Sequence, residues 1–244
     1  MKPEGIAAVL GGLSLLLVVA AGAAPTDSFT AQYAVGNGAQ TVGSAELTLT
    51  AGDEQWKLSL ETRPGGLLKL FGRGRIVEHS TGVWAHNADT AHPIPISTAY
   101  TFHEKGGKAA RNLTADFAHS GHLVRFDAEN GVGDSLASES PIFDPLSSML
   151  LNMSRIASGE PTVRTLTLFQ RGSLREVSLD DMGEESVETR AGTFATRHIH
   201  RRQQGSSREL HLWYSLEAPY LPVVIEQHRK GKLVARLTLK KLEK

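Results

Sequence analysis

The chain has 244 residues with 26 basic and 26 acidic side chains, so it has no formal net charge and no global field to draw in nucleic acid or an anionic membrane surface. It contains no cysteine, which excludes disulfides, thiol nucleophiles, cysteine-ligated metals and a lipid attached through a cysteine. At this length folding buries roughly 70% of the unfolded surface, so one core suffices for a single domain.

The N-terminus comes first in chain order. Lys2 precedes an uncharged run from Gly5 to Ala24, rich in Leu, Val and Ala, that ends Ala21-Gly22-Ala23-Ala24-Pro25. A basic start, an apolar middle and an Ala-x-Ala exit form the pattern of a secretory signal peptide. The pattern predicts a leader over residues 1–23, cut before Ala24 because proline sits poorly just after a cleaved bond. That leaves residues 24–244 as one β-rich domain in the periplasm. A run of about 20 apolar residues is also long enough to span a bilayer as a retained anchor. Gly5, Gly11, Gly12 and Gly22 interrupt it, and its apolar core from Ile6 to Val19 has signal-peptide length. With the leader removed, no integral membrane span is expected.

From Phe29 onward, apolar residues alternate with polar ones, the period of half-buried strands. Phe29, Ala31, Tyr33 and Val35 share one face. Ala45, Leu47 and Leu49 alternate, Ala51-Gly52-Asp53 is turn chemistry, and Trp56, Leu58 and Leu60 resume, which reads as a hairpin. Pro64 to Gly74 reads as an apolar-tipped loop whose Leu67, Leu68, Leu70 and Phe71 pack under the sheet, touch a membrane surface or close over a ligand. Alternating runs continue at 76–79, 99–103, 113–117 and 123–126. They return at 163–169, 174–179, 186–189, 194–200, 210–214, 223–228 and 233–239.

One segment breaks the alternation. Asp144 suits a helix N-cap, Pro145 the first helical position and Gly159 a left-handed stop. Leu146, Met149, Leu150, Met153 and Ile156 form an apolar stripe at helical spacing. The fold expected is mainly β: an antiparallel meander forming a curved sheet or a partly open barrel, with one helix over residues 144–158 packed on its concave side. Trp56, Trp84 and Trp213 are expected in or beside strands, with Trp56 and Trp213 buried.

The residues of catalysis are not arranged in recognisable motifs. Neither a Gly-x-Ser-x-Gly elbow nor a phosphate-cradling loop occurs. His198-x-His200 places two imidazoles on one strand face, but Arg197, Arg201 and Arg202 flank the pair and repel a cation, so no metal and no other cofactor is expected. Asp180-Asp181-Met182-Gly183-Glu184-Glu185 lacks calcium-loop spacing and reads as a charged hairpin tip. Asn112-Leu113-Thr114 and Asn152-Met153-Ser154 match glycosylation acceptors in form alone.

Several segments carry a resemblance: Phe143-Asp144-Pro145-Leu146-Ser147-Ser148, Thr189-Arg190-Ala191-Gly192-Thr193-Phe194, Leu212-Trp213-Tyr214-Ser215, Pro219-Tyr220-Leu221-Pro222-Val223 and Lys230-Gly231-Lys232. With Phe29-x-x-x-Tyr33 after a leader, they resemble a family of exported bacterial proteins described only as a domain of unknown function. The resemblance implies a β-rich periplasmic protein and supplies no activity or catalytic residue.

The function expected is therefore binding or carriage of an apolar ligand such as a lipid, not enzymatic catalysis. The candidate contacts are Met149, Leu150, Met153, Phe71 and Trp213, because a Met-containing helix against a curved sheet makes an adaptable greasy site. The alternative is a structural or assembly factor of the cell envelope that contacts proteins or glycans through a sheet edge. No nucleic acid partner is expected. N-terminal sequencing of the exported protein should begin near Ala24; an intact Met1 in the membrane fraction would contradict the leader.

Overall fold

The computed structural model describes residues 27–37, 40–65, 74–86, 92–106, 111–128 and 133–244. The leader and the Leu67–Phe71 cluster lie outside the described residues. No helix among the described residues is long and apolar enough to cross a membrane.

The strands run in an up-and-down meander on either side of one helix. Before the helix come β1 (Phe29–Gly36), β2 (Thr41–Ala51), β3 (Gln55–Pro64), β4 (Arg75–Ala85) and β5 (Ile94–Lys105). Then follow β6 (Arg111–Ala118), β7 (Leu123–Ala128), β8 (Gly133–Ala137) and the two-residue β9 (Ile142–Phe143). After α1 (Pro145–Ala157) come β10 (Thr165–Gln170), β11 (Ser173–Thr189), β12 (Gly192–Gln203), β13 (Arg208–Ser215), β14 (Pro222–Arg229) and β15 (Lys232–Glu243). All described strands belong to one sheet, ordered β8-β7-β6-β5-β4-β3-β2-β1-β15-β14-β13-β12-β11-β10-β9. The chain ends meet at its centre, where β1 pairs antiparallel with β15 and Tyr33 stands opposite Leu239. The Tyr33 hydroxyl donates to the Pro222 carbonyl at 2.8 Å, tying the two halves together through the interior.

Alternation becomes sidedness as expected. Phe29, Ala31, Tyr33, Ala45, Leu47, Leu49, Trp56 and Leu58 are all buried in one core cluster. Trp56 packs over Gly82, its cross-strand partner, where a Cβ would overlap both the indole and the Ile96 carbonyl oxygen. Tight turns close the later hairpins. Arg171-Gly172 has φ of 54° and 74°, and Lys230-Gly231 has 53° and 70°, the paired positive φ that two-residue hairpin loops require.

The acidic stretch from Asp180 to Glu185 is not a hairpin tip. It lies inside β11, where the register slips between Asp181 and Glu184, and Gly183 takes a φ of 94°. The facing strand supplies the reason: Arg202 Nε donates to Asp180 Oδ2 at 2.9 Å and Arg197 Nη2 to Glu184 Oε1 at 2.7 Å. Cross-strand pairing neutralises charges that in isolation look like a solvated turn.

The barrel alternative does not form. β8 and β9 remain separate edges, and the curved sheet stays open. Near those edges the two arms meet by side-chain packing. Phe117 and Phe169 meet edge-on with ring centroids 6.1 Å apart, and Phe126 lies 5.2 Å from Phe169. The space within the curve is taken by α1, whose residues from Leu146 to Ser154 are all buried.

The helix is fixed by Asp144, a fully buried carboxylate. Its Oδ1 accepts from the amides of Leu146 at 2.8 Å and Ser147 at 3.0 Å, while the Ser147 hydroxyl is 2.9 Å from the Asp144 amide and accepts from it, completing a capping box. Its Oδ2 accepts from Ser80 on β4 and Ser97 on β5, both at 2.6 Å. Burial pushes its carboxyl up, and these four donors pull it back. Asp144→Ala should cost about 3–5 kcal/mol in urea denaturation, since the cap is lost and two buried hydroxyls lose their acceptor. A loss under about 1 kcal/mol, the range of surface changes, would contradict this.

Candidate functional site

Between α1 and the concave sheet face lies a cavity of about 660 Å³. Leu60, Ile76, Leu212, Ile225 and Leu237 give it an apolar wall, closed on one side by Leu146 and Met149. Polar groups interrupt this wall, among them Glu78, Tyr100, Glu104, Asn152, Arg171 and Arg201. The Tyr100 hydroxyl donates to Glu78 Oε2 at 2.6 Å, and burial pushes the Glu78 carboxyl up despite that bond. Asn152 Nδ2 contacts the Tyr214 hydroxyl at 3.4 Å, while Asn152 Oδ1 is buried with no hydrogen-bond partner among the described residues.

Arg201 is the unusual member. It shares a strand face with Ile199, so the alternation that buries Ile199 turns Arg201 inward as well. Its Nη1 reaches only the Ser148 hydroxyl, at 3.4 Å, and among the described residues no carboxylate lies within ion-pair distance. Burial lowers its pKa, with Tyr214 and Glu78 acting in the opposite sense. A polar recess of about 450 Å³ adjoins the cavity, sharing Arg171 and Arg201 with it and adding Arg175, Arg202, Arg208 and Glu209. The cavity thus has an apolar wall, polar groups that include Glu78 and Glu104, and a gathering of guanidinium groups at one end.

The structure brings together only part of the expected site. Met149 lines the cavity. Leu150 and Met153 are fully buried in the core and do not reach it. Phe71 lies outside the described residues. Trp213 is not buried in the core as expected. It sits half-buried on the opposite face of β13 from Leu212 and Tyr214, and its indole N–H donates to Glu185 Oε1 at 2.6 Å. Its neighbours in the sequence are the inward pair, so the aromatic between them has to face outward.

That outward face holds a second constellation. Across β12 and β13, His200 stands opposite His211 and His198 opposite Trp213. The rings stack: His200 on His211 at 4.0 Å and His198 on Trp213 at 4.2 Å between centroids. His198 Nε2 lies 3.0 Å from His211 Nδ1. Glu209 Oε2 lies 3.2 Å from His200 Nε2 and 3.9 Å from His211 Nε2. On β14, His228 is 2.8 Å from Glu226, which also pairs with Arg236. Burial and the surrounding imidazoles of His200, His198 and His228 lower the His211 pKa to about 4, so the ring is neutral at pH 7.

The model of a protein of unknown function, DUF3108, matches residues 28–238, nearly all of the described domain. The chain belongs to that family. Among curated proteins, none matches the sequence. Two solved structures are similar at a distance. One is a protein from Bacteroides fragilis assigned as exported, with a YmcC-like fold: TM-score 0.33, 8% identity, covering 89% of this chain and 94% of that one. The other is a protein from Parabacteroides distasonis assigned as a lipoprotein: TM-score 0.35, 10% identity, covering 90% and 96%. These likenesses are weak, and the family assignment rests on the sequence match.

The placement of the tryptophans sets their energetic weight. Trp56→Ala should cost about 3–5 kcal/mol, as core aromatic truncations do, and Trp213→Ala about 1–2 kcal/mol. Equal losses in chemical denaturation would contradict the outward position of Trp213.

Proposed function

We propose that this protein is an exported binding protein for an anionic amphiphile, a lipid or fatty acid whose apolar chain lies in the cavity beneath α1 and whose head meets Arg201. The role is binding, not catalysis. The leader's composition supports export, and the apolar wall supports a greasy chain. The observation that carries the reading is Arg201, a guanidinium in the cavity wall that has no carboxylate within ion-pair distance among the described residues. A buried charge is costly unless paired, and a ligand carboxylate or phosphate supplies the missing partner bidentately. Asn152 Oδ1 adds an acceptor for a ligand hydroxyl.

A dansylated fatty acid and its uncharged alcohol analogue test this with the full chain. Both should bind the wild type, the acid more tightly. Arg201→Met should weaken the acid about 10- to 100-fold, the value of one charged hydrogen-bonded pair, and leave the alcohol within about threefold. Leu237→Trp, which fills the cavity, should weaken both. If wild-type protein binds neither probe, or Arg201→Met weakens both equally, the reading is wrong.

A further inference from the structure

We propose that the outward face of β12 and β13 is a site for a divalent transition-metal ion of the zinc class, ligated by His200 Nε2, His211 Nε2 and Glu209 Oε2.

The three ligand atoms all lie within 4.8 Å of one another, and two of their separations are 3.2 and 3.9 Å. Around zinc, with bonds of about 2.0–2.1 Å to nitrogen and oxygen, tetrahedrally placed ligand atoms lie roughly 3.3 Å apart. The rings of His200 and His211 now stack at 4.0 Å and 12° from parallel, so both must turn about their side-chain torsions to aim their Nε2 lone pairs at one in-plane centre, which closes the coordination beside Glu209. The donors also suit the ion. Imidazole nitrogen selects zinc, copper and nickel over magnesium or calcium, and one carboxylate offsets part of the charge.

The supporting groups are arranged as metal ligands require. A ligating histidine ordinarily donates its second N–H to a fixed acceptor, which sets tautomer and ring orientation. His211 Nδ1 lies 3.0 Å from His198 Nε2, and His198 Nδ1 lies 3.4 Å from Glu185 Oε1. With His211 Nδ1–H donating to His198 Nε2, the lone pair of His211 Nε2 is left on the side of Glu209. Trp213 holds Glu185 from the other side and stacks on His198. All these side chains stand on paired strands, so little ordering remains to oppose binding.

The arginines that argue against a cation in the sequence do not oppose one in the fold. Arg201 projects into the cavity on the other face. Arg197 pairs with Glu184 and Arg202 with Asp180. On the β14 side, Arg236 is paired with Glu226. His200, Glu209 and His211 are each half-buried, leaving the fourth position open to water, as in zinc sites with three protein ligands.

The test uses the full chain carrying no affinity tag, stripped with chelator and dialysed against Zn²⁺. Calorimetry should give one zinc per chain with micromolar or tighter affinity. A cobalt-substituted sample should show the intense visible bands of four-coordinate Co²⁺, and zinc should raise the melting temperature. His198→Gln should weaken zinc about 10- to 100-fold, as loss of a supporting group does, and His211→Phe more than that. Glu209→Gln repeats the test at a partly exposed position should His211→Phe fail to fold. His103→Gln, on a distant strand, should change nothing. Binding unaltered by Glu209→Gln, binding that Mg²⁺ matches, or stoichiometry well below one would overturn the site. The amphiphile cavity contains none of the three ligands, although Glu209 also lines the polar recess beside it, so His198→Gln and His211→Phe test the metal site apart from amphiphile binding.

Discussion

The buried carboxylate of Asp144 is the constraint on which the rest of the structure depends. Its two oxygens do different work: Oδ1 caps the helix, and Oδ2 joins it to adjacent strands through Ser80 and Ser97. A helix of 13 residues is marginal alone in water, so its place in the fold is set by tertiary contacts. The carboxylate fixes one end of it inside the curved sheet. Every consequence for shape follows from that position. The sheet wraps the helix without closing on itself, and the unfilled space beside Leu146 and Met149 becomes the cavity.

The two candidate sites share β12 and β13 and use opposite faces of them. On β12, Ile199 and Arg201 point inward while His198 and His200 point outward; on β13, Leu212 and Tyr214 face the cavity while His211 and Trp213 face solvent. A pleated strand has no other option, because successive side chains alternate. The result separates incompatible chemistry by one strand thickness. Arg171 and Arg201 gather at the cavity end, and the imidazoles of β12 and β13 gather outside. The long β11 supports this division by pairing Arg197 and Arg202 with its own acidic residues, which removes them from both sites.

The sequence by itself determined the elements. Period-two alternation placed the strands and their inward residues from Phe29 to Leu58, and the signals at Asp144, Pro145 and Gly159 bounded the helix to within a residue. These are local properties: pleat, capping and turn chemistry act over a few residues, so they are legible without knowing the partners. The same alternation, applied to Ile199 and Arg201, also implied an inward arginine; basic neighbours made the strand look wholly solvated.

Tertiary structure alone decided the rest, because it depends on which strands become neighbours. The acidic stretch of β11 is a strand because β12 stands beside it and its Arg197 and Arg202 side chains pair with Glu184 and Asp180. Trp213 is an outward residue because Leu212 and Tyr214 claim the inward face. Whether the sheet closed into a barrel depended on whether β8 and β9 met, which no local pattern encodes. The histidines of β12 gained Glu209 and His211 only through the register of β12 on β13. Register is set by the sum of long-range packing, and a shift of one residue would send every one of these side chains to the other face.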